Sequence, residues 1–138
     1  MKKYIYTILA SLFVISCQDS IDSKKEKFIE NLISQMTLEE KVGQMTQINI
    51  TVIAKGPNKW SSSFPMEIDD NKAQKALVDF KVGSVLNTIN NTAQKPSVWF
   101  KNISKIQDIA MNNNRLAIPV IYGIDAIHGT CLLYTSPS

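Results

Sequence analysis

The sequence predicts an α/β fold with a parallel sheet, and three observations carry that prediction. The 138 residues are 44% hydrophobic and 20% charged, the composition of one ordinary globular unit. From Glu26 onward two helical segments are followed by strand, helix, strand, helix and strand, with no internal repeat. Strands that alternate with helices of this length pair in parallel through right-handed crossovers.

The N-terminal MKKYIYTILASLFVISCQDS joins a short cationic stretch to an apolar core from Tyr4 to Ile15, with small Ser16 before Cys17. This is the pattern of a secretion signal, too short to span a bilayer as a helix. The tetrad VISC resembles a bacterial lipobox, which implies cleavage before Cys17 and a lipid on the new N-terminal Cys17. Residues 1–16 are therefore expected to be a lipoprotein signal peptide and residues 17–24 a polar tether. The expected location is the bacterial cell envelope, at a membrane through the lipid anchor. Cys131 is then the one remaining thiol, so no disulfide framework or cysteine zinc site is available, and no metal or other cofactor is expected.

EKFIENLISQM sets Phe28, Ile29, Leu32, Ile33 and Met36 on one apolar stripe, which predicts the first helix. In TLEEKVGQM the Thr37 hydroxyl can accept from the Glu40 amide while the Glu40 carboxylate reaches back. This capping box starts a second helix at Leu38, and Gly43 is positioned to stop it. QMTQINITVI is rich in β-branched residues and partly alternating, so it predicts the first strand. AKGPNKWSSSFPMEIDD is a polar loop, long for a compact domain, and its length points to a function or a lid. Its Trp60 and Phe64 can either stack on a sugar face or pack the loop onto the domain.

NKAQKALVDFK, Asn71 to Lys81, predicts a helix with Ala73, Ala76, Leu77 and Phe80 inward, and VGSVLNTI predicts the second strand. KPSVWFKNISKIQDIAMNNN predicts a long helix entered at Pro96, where a missing amide costs little, with Ile103, Ile106, Ile109 and Ala110 buried. RLAIP turns the chain into the third strand, Pro119 to Ile124, proline being tolerated at a strand start.

In parallel α/β folds the working residues gather at the carboxyl ends of strands, where loops vary on a rigid support. Asp125, in IPVIYGIDAIHG, occupies such a position, and Gly123 lets another group come close. An ionised aspartate offers only acceptors, so it suits adjacent hydroxyls of a sugar. It equally suits the N-cap of a following helix, and spacing does not choose between the two. His128, the one histidine, makes no metal site by itself and is accompanied by no nucleophile motif; a structural role bonded to backbone is the expectation. Glu39 and Glu40 belong to the capped helix, and Asp69 and Asp70 suit the dipole of the helix that follows them. The 15 basic and 12 acidic residues leave a net charge of +3, part of it from Lys2 and Lys3 in the leader. KKEK reads as a solvated helix start, and without a basic face no nucleic-acid partner is expected. NIT, NNT and NIS match the glycosylation acceptor, a coincidence behind a bacterial lipobox.

MTLEEKVGQM (Met36 to Met45), VGSVLN (Val82 to Asn87) and IPVIYGIDAIHG (Ile118 to Gly129) together resemble, in order and interval, the start of the family 3 glycoside hydrolases. These are mostly secreted β-glucosidases and related exo-acting enzymes. The resemblance implies that residues 25–129 are the N-terminal part of a (β/α)8 TIM-type barrel, incomplete in this chain because a full barrel takes roughly 250 residues. It further implies a retaining β-glycosidase that removes terminal β-linked glucose or similar sugars from oligo- or polysaccharides, using an aspartate nucleophile and a glutamate acid/base. Such a pair stands about 5 to 5.5 Å apart across the scissile bond, which sequence neighbours like Glu39 and Glu40 rarely do. In the family both catalytic residues lie downstream, so none is assigned here and the fragment is expected to be inactive. Asp125 matches the aspartate that binds hydroxyls of the non-reducing sugar in subsite −1, while His128 and Gly129 match the active-site loop. Residues 130–138, TCLLYTSPS, depart from the family pattern; LLYTSPS resembles translated sequencing-adapter read-through, and an artefactual tail is expected. The rival reading is a non-catalytic sugar-binding or structural lipoprotein that uses Trp60, Trp99 and Asp125.

Overall fold

The structure, a computed structural model, describes residues 22–58, 62–89 and 93–125. The expected leader, Cys17, Trp60, His128, Gly129 and the 130–138 tail lie outside the described residues. The chain divides into two compact units, Met1–Met36 and Thr37–Ser138. In the first unit helix α1 covers residues 22–35. It carries the predicted apolar stripe, of which Phe28, Ile29 and Ile33 are exposed.

The second unit begins with α2 (Leu38–Gln44), where both halves of the capping box form. The Thr37 hydroxyl accepts from the Glu40 amide at 3.3 Å, and the Glu40 carboxylate accepts from the Thr37 amide at 2.8 Å. Gly43 does not stop this helix, which runs on to Gln44. Its purpose is close approach: a Cβ there would stand 2.5 Å from the Lys81 carbonyl oxygen and 2.6 Å from that of Phe80. Gly83 faces the same contact from the other side, with its hypothetical Cβ 2.4 Å from the Gln44 oxygen. The two bare backbones are joined by the Gly83 amide donating to the Gly43 carbonyl at 3.0 Å.

Three short parallel strands follow, β1 (Gln47–Asn49), β2 (Ser84–Leu86) and β3 (Ile121–Gly123), in the order β1-β2-β3. Between them lie α3 (Asp70–Gln74), continued by a π-helical turn over Lys75–Asp79, and α4 (Pro96–Asn113). The register aligns Ile48, Val85 and Tyr122, which by the two-residue period share one face of the sheet. Val85 is fully buried on that face, in a core with Ile50, Ile53, Leu77, Ile89 and Ile106. The predicted alternation of strand and helix with parallel pairing is therefore present.

Further local expectations are corrected, among them the second strand, which is Ser84–Leu86 rather than the whole of VGSVLNTI. The first strand is three residues long because the Asn49 side chain accepts from both the amide and the hydroxyl of Thr51, at 3.0 and 2.9 Å, and turns the chain into a 3-10 turn, Ile50–Val52. The third strand starts at Ile121 rather than Pro119. Val120 pairs instead with the Gln107 amide, which accepts from its N–H at 3.0 Å and donates to its carbonyl at 2.7 Å. Phe80 points outward, 62% exposed. The π turn bonds the Phe80 amide to Lys75, five residues back, and the extra residue rotates Phe80 off the buried side on which Ala73, Ala76 and Leu77 lie. The described ends of the long loop, for which a function or a lid is expected, are pinned to the fold. Asn102, 2% exposed on α4, accepts from the Ile68 amide and donates to the Met66 carbonyl, while Lys72 donates to Ala54 and Gly56.

Candidate functional site

Parallel pairing brings the carboxyl ends of β2 and β3 side by side, with Leu86 opposite Gly123. The residue after β2, Asn87, has φ 66, in the left-handed region that asparagine tolerates better than most residues. From there it meets the end of β3 three times. Its amide donates to the Gly123 carbonyl at 2.9 Å, extending the ladder by one bond. Its carbonyl accepts from the Tyr122 hydroxyl at 2.9 Å. Its side-chain oxygen accepts from the Asp125 amide at 2.8 Å, two residues beyond the strand.

Asp125 is exposed, its main chain held by Asn87, and among the described residues no group engages its carboxylate. Burial pushes the Tyr122 phenol well above the usual tyrosine range, so it remains a protonated donor to Asn87. Behind it the Trp99 indole packs edge-on at 5.5 Å and 63°. Trp99 is 8% exposed, so its ring is committed to the core and gives no open platform for a sugar, contrary to its part in the rival reading.

Of the other acidic candidates, Glu39 is exposed on α2, while Glu40, Asp69 and Asp70 have partners within the fold. Glu40 receives the Thr37 amide and a bidentate Arg115, at 3.0 Å from Nε and 2.6 Å from the second guanidinium nitrogen. The Thr37 amide first, and then Arg115, hold its carboxyl below the usual glutamate value. Asp69 caps α3 through the Lys72 amide, and Asp70 pairs with Lys105 at 2.8 Å, which keeps its carboxyl low. Glu67 is held low by Lys55 at 2.7 Å. Asn102, first residue of NIS, is buried and bonded on both sides of its amide. Asn87 was not singled out in the sequence, where VGSVLNTI was expected to run on through it as strand; the structure ends β2 at Leu86, and a turn-favouring asparagine inside that run is the signal that marks it.

A parallel α/β unit of three strands linked through helices belongs to the class of folds whose working residues gather at the carboxyl ends of the strands. The sequence comparison makes this specific. The model of the Glycosyl hydrolase family 3 N terminal domain matches residues 37–136, and the chain belongs to that family. It is 33% identical over 119 residues to the lysosomal beta glucosidase of Dictyostelium discoideum, covering 78% of this chain and 13% of that protein. It is 28% identical over 105 residues to the periplasmic beta-glucosidase of Salmonella typhimurium, covering 76% of this chain and 11% of that protein. The chain thus spans a small part of the length of these relatives.

Proposed function

We propose that this chain is the N-terminal part of an exo-acting, retaining β-glycosidase that removes terminal β-linked glucose or a similar sugar, with Asp125 binding hydroxyls of that sugar. One observation carries the assignment of Asp125. Its backbone is fixed at the carboxyl end of a parallel sheet while its carboxylate has no partner among the described residues. An ionised carboxylate in that position accepts two hydroxyl protons in charge-assisted bonds, roughly twice as strong as neutral ones. Family membership and two relatives named beta-glucosidase support the substrate class.

The three-stranded unit is read as the opening βα units of a (β/α)8 barrel spanning residues 25–129. The nucleophile and acid/base are supplied by residues outside this chain, which by itself is inactive. Residues 1–16 act as a lipoprotein signal peptide, Cys17 carries the lipid, residues 17–24 form the tether, and the protein faces its glycan in the cell envelope. One relative is named periplasmic, which fits an exported enzyme.

The test compares the complete protein that carries these residues with the 138-residue chain, both assayed on p-nitrophenyl β-glucoside. Turnover by the complete protein, with the β-anomer of glucose as first product in NMR, and none by the chain is the expected result. Turnover by the chain alone contradicts the proposal, as does an α-anomer as first product.

A further inference from the structure

We propose that Asn87 is a positioning residue for sugar binding, acting through the Asp125 main chain; this rests on the reading of Asp125 as a sugar ligand. The β2–β3 ladder ends with the bond from the Asn87 amide to Gly123, so by itself it leaves Asp125 without a strand partner. The Asn87 side-chain oxygen supplies that partner at 2.8 Å. A glycine would hold φ 66 without strain, so the turn alone does not require asparagine. What the side chain adds is this acceptor. The Asn87 carbonyl is in turn fixed by the Tyr122 hydroxyl at 2.9 Å, and Tyr122 is backed by buried Trp99. A chain of contacts therefore runs from the core through Tyr122 and Asn87 to the Asp125 amide, and it leaves the carboxylate for the ligand.

A carboxylate that must meet two hydroxyls at once is sensitive to small displacements, because such contacts tolerate only a few tenths of an ångström. Loss of the Asn87 acceptor is expected to weaken sugar binding by a factor of about three to ten, the worth of one ordinary hydrogen bond. The decisive experiment is a double-mutant cycle in the complete protein, read as the inhibition constant of glucose competing with p-nitrophenyl β-glucoside. Asn87→Gly keeps the backbone conformation and removes only the side chain. In the parent background it should raise the inhibition constant by that factor; in an Asp125→Asn background it should add almost nothing, because the two act through one contact. Asn87→Asp, which retains an acceptor and tolerates the left-handed region, should recover most of the affinity. If Asn87→Gly is insoluble, Asn87→Ser, whose side chain is one atom too short to reach the amide, carries the same expectation.

Two outcomes overturn the inference alone: Asp125→Asn weakens glucose binding while Asn87→Gly does not, or Asn87→Gly weakens it by the same factor in both backgrounds. If Asp125→Asn leaves the inhibition constant unchanged, the sugar-ligand reading falls and this inference falls with it.

Discussion

At the amino end of the sheet Glu40 has both carboxylate oxygens in use, one with Arg115 Nε and the other with the Thr37 amide and the second Arg115 nitrogen. At the carboxyl end the Asp125 amide is engaged by Asn87, and its carboxylate oxygens meet no group among the described residues. The amino end is also where the backbones of Gly43 and Gly83 touch directly. A carboxylate saturated inside the fold contributes stability, whereas one held by its backbone and left open is available to a ligand. Saturation, rather than residue type or conspicuous sequence pairing, separates the structural acids from the one proposed to bind sugar.

Substitutions can break this contrast in a defined order. The largest stability effect is expected from Asn102→Leu, which strips partners from the Ile68 amide and the Met66 and Val98 carbonyls. It should cost about 3 kcal/mol in urea unfolding of the complete protein, with glucose affinity of the folded fraction retained. Asn102 pins the loop that follows β1, so it shows that saturation overrides location. Gly83→Ala brings a Cβ to 2.4 Å from the Gln44 oxygen and 2.7 Å from its Cα. Since both atoms belong to backbone, the expected loss is about 2 to 3 kcal/mol, read by the same unfolding experiment.

Glu40→Gln should cost about 1 to 2 kcal/mol, because it weakens half a capping box and an ion pair whose arginine is half exposed. Its pH signature identifies the cause. The Glu40 carboxyl is held below its ordinary value of 4.5, so its contribution is fully present above that value and is lost as pH falls through the lower folded-state value. Thermal melts of parent and Glu40→Gln should therefore converge on acidification. The smallest effect is expected at Phe80, exposed on the π turn: Phe80→Ser should change stability by less than about 0.5 kcal/mol. A core-sized loss would mean that the sequence periodicity, not the π turn, describes that helix.

The legible parts of the fold were those written in local patterns. Thr37 and Glu40 announced their capping box, Pro96 the first turn of α4, and the alternation of elements the parallel sheet. Asp125 was legible as an acid at a strand end, though spacing left its use open between ligand and helix cap. What stayed hidden depended on partners distant in sequence. Nothing near Glu40 foretells Arg115, 75 residues away, and nothing near Asn102 foretells the loop strand it bonds. Gly43 was misread because a glycine near a helix end fits both a C-cap and a close approach, and only the position of Lys81 decides. Phe80 was misread because ideal helical spacing contains no π turn.

The most direct measurement is kcat/KM of the complete protein and its Asp125→Asn variant on p-nitrophenyl β-glucoside, with the unfolding midpoint of each. Loss of the charge from two sugar hydroxyl contacts predicts a fall of about 100-fold with an unchanged midpoint. An unchanged kcat/KM, or a fall matched by a lower midpoint, would make Asp125 one more structural acid like Glu40.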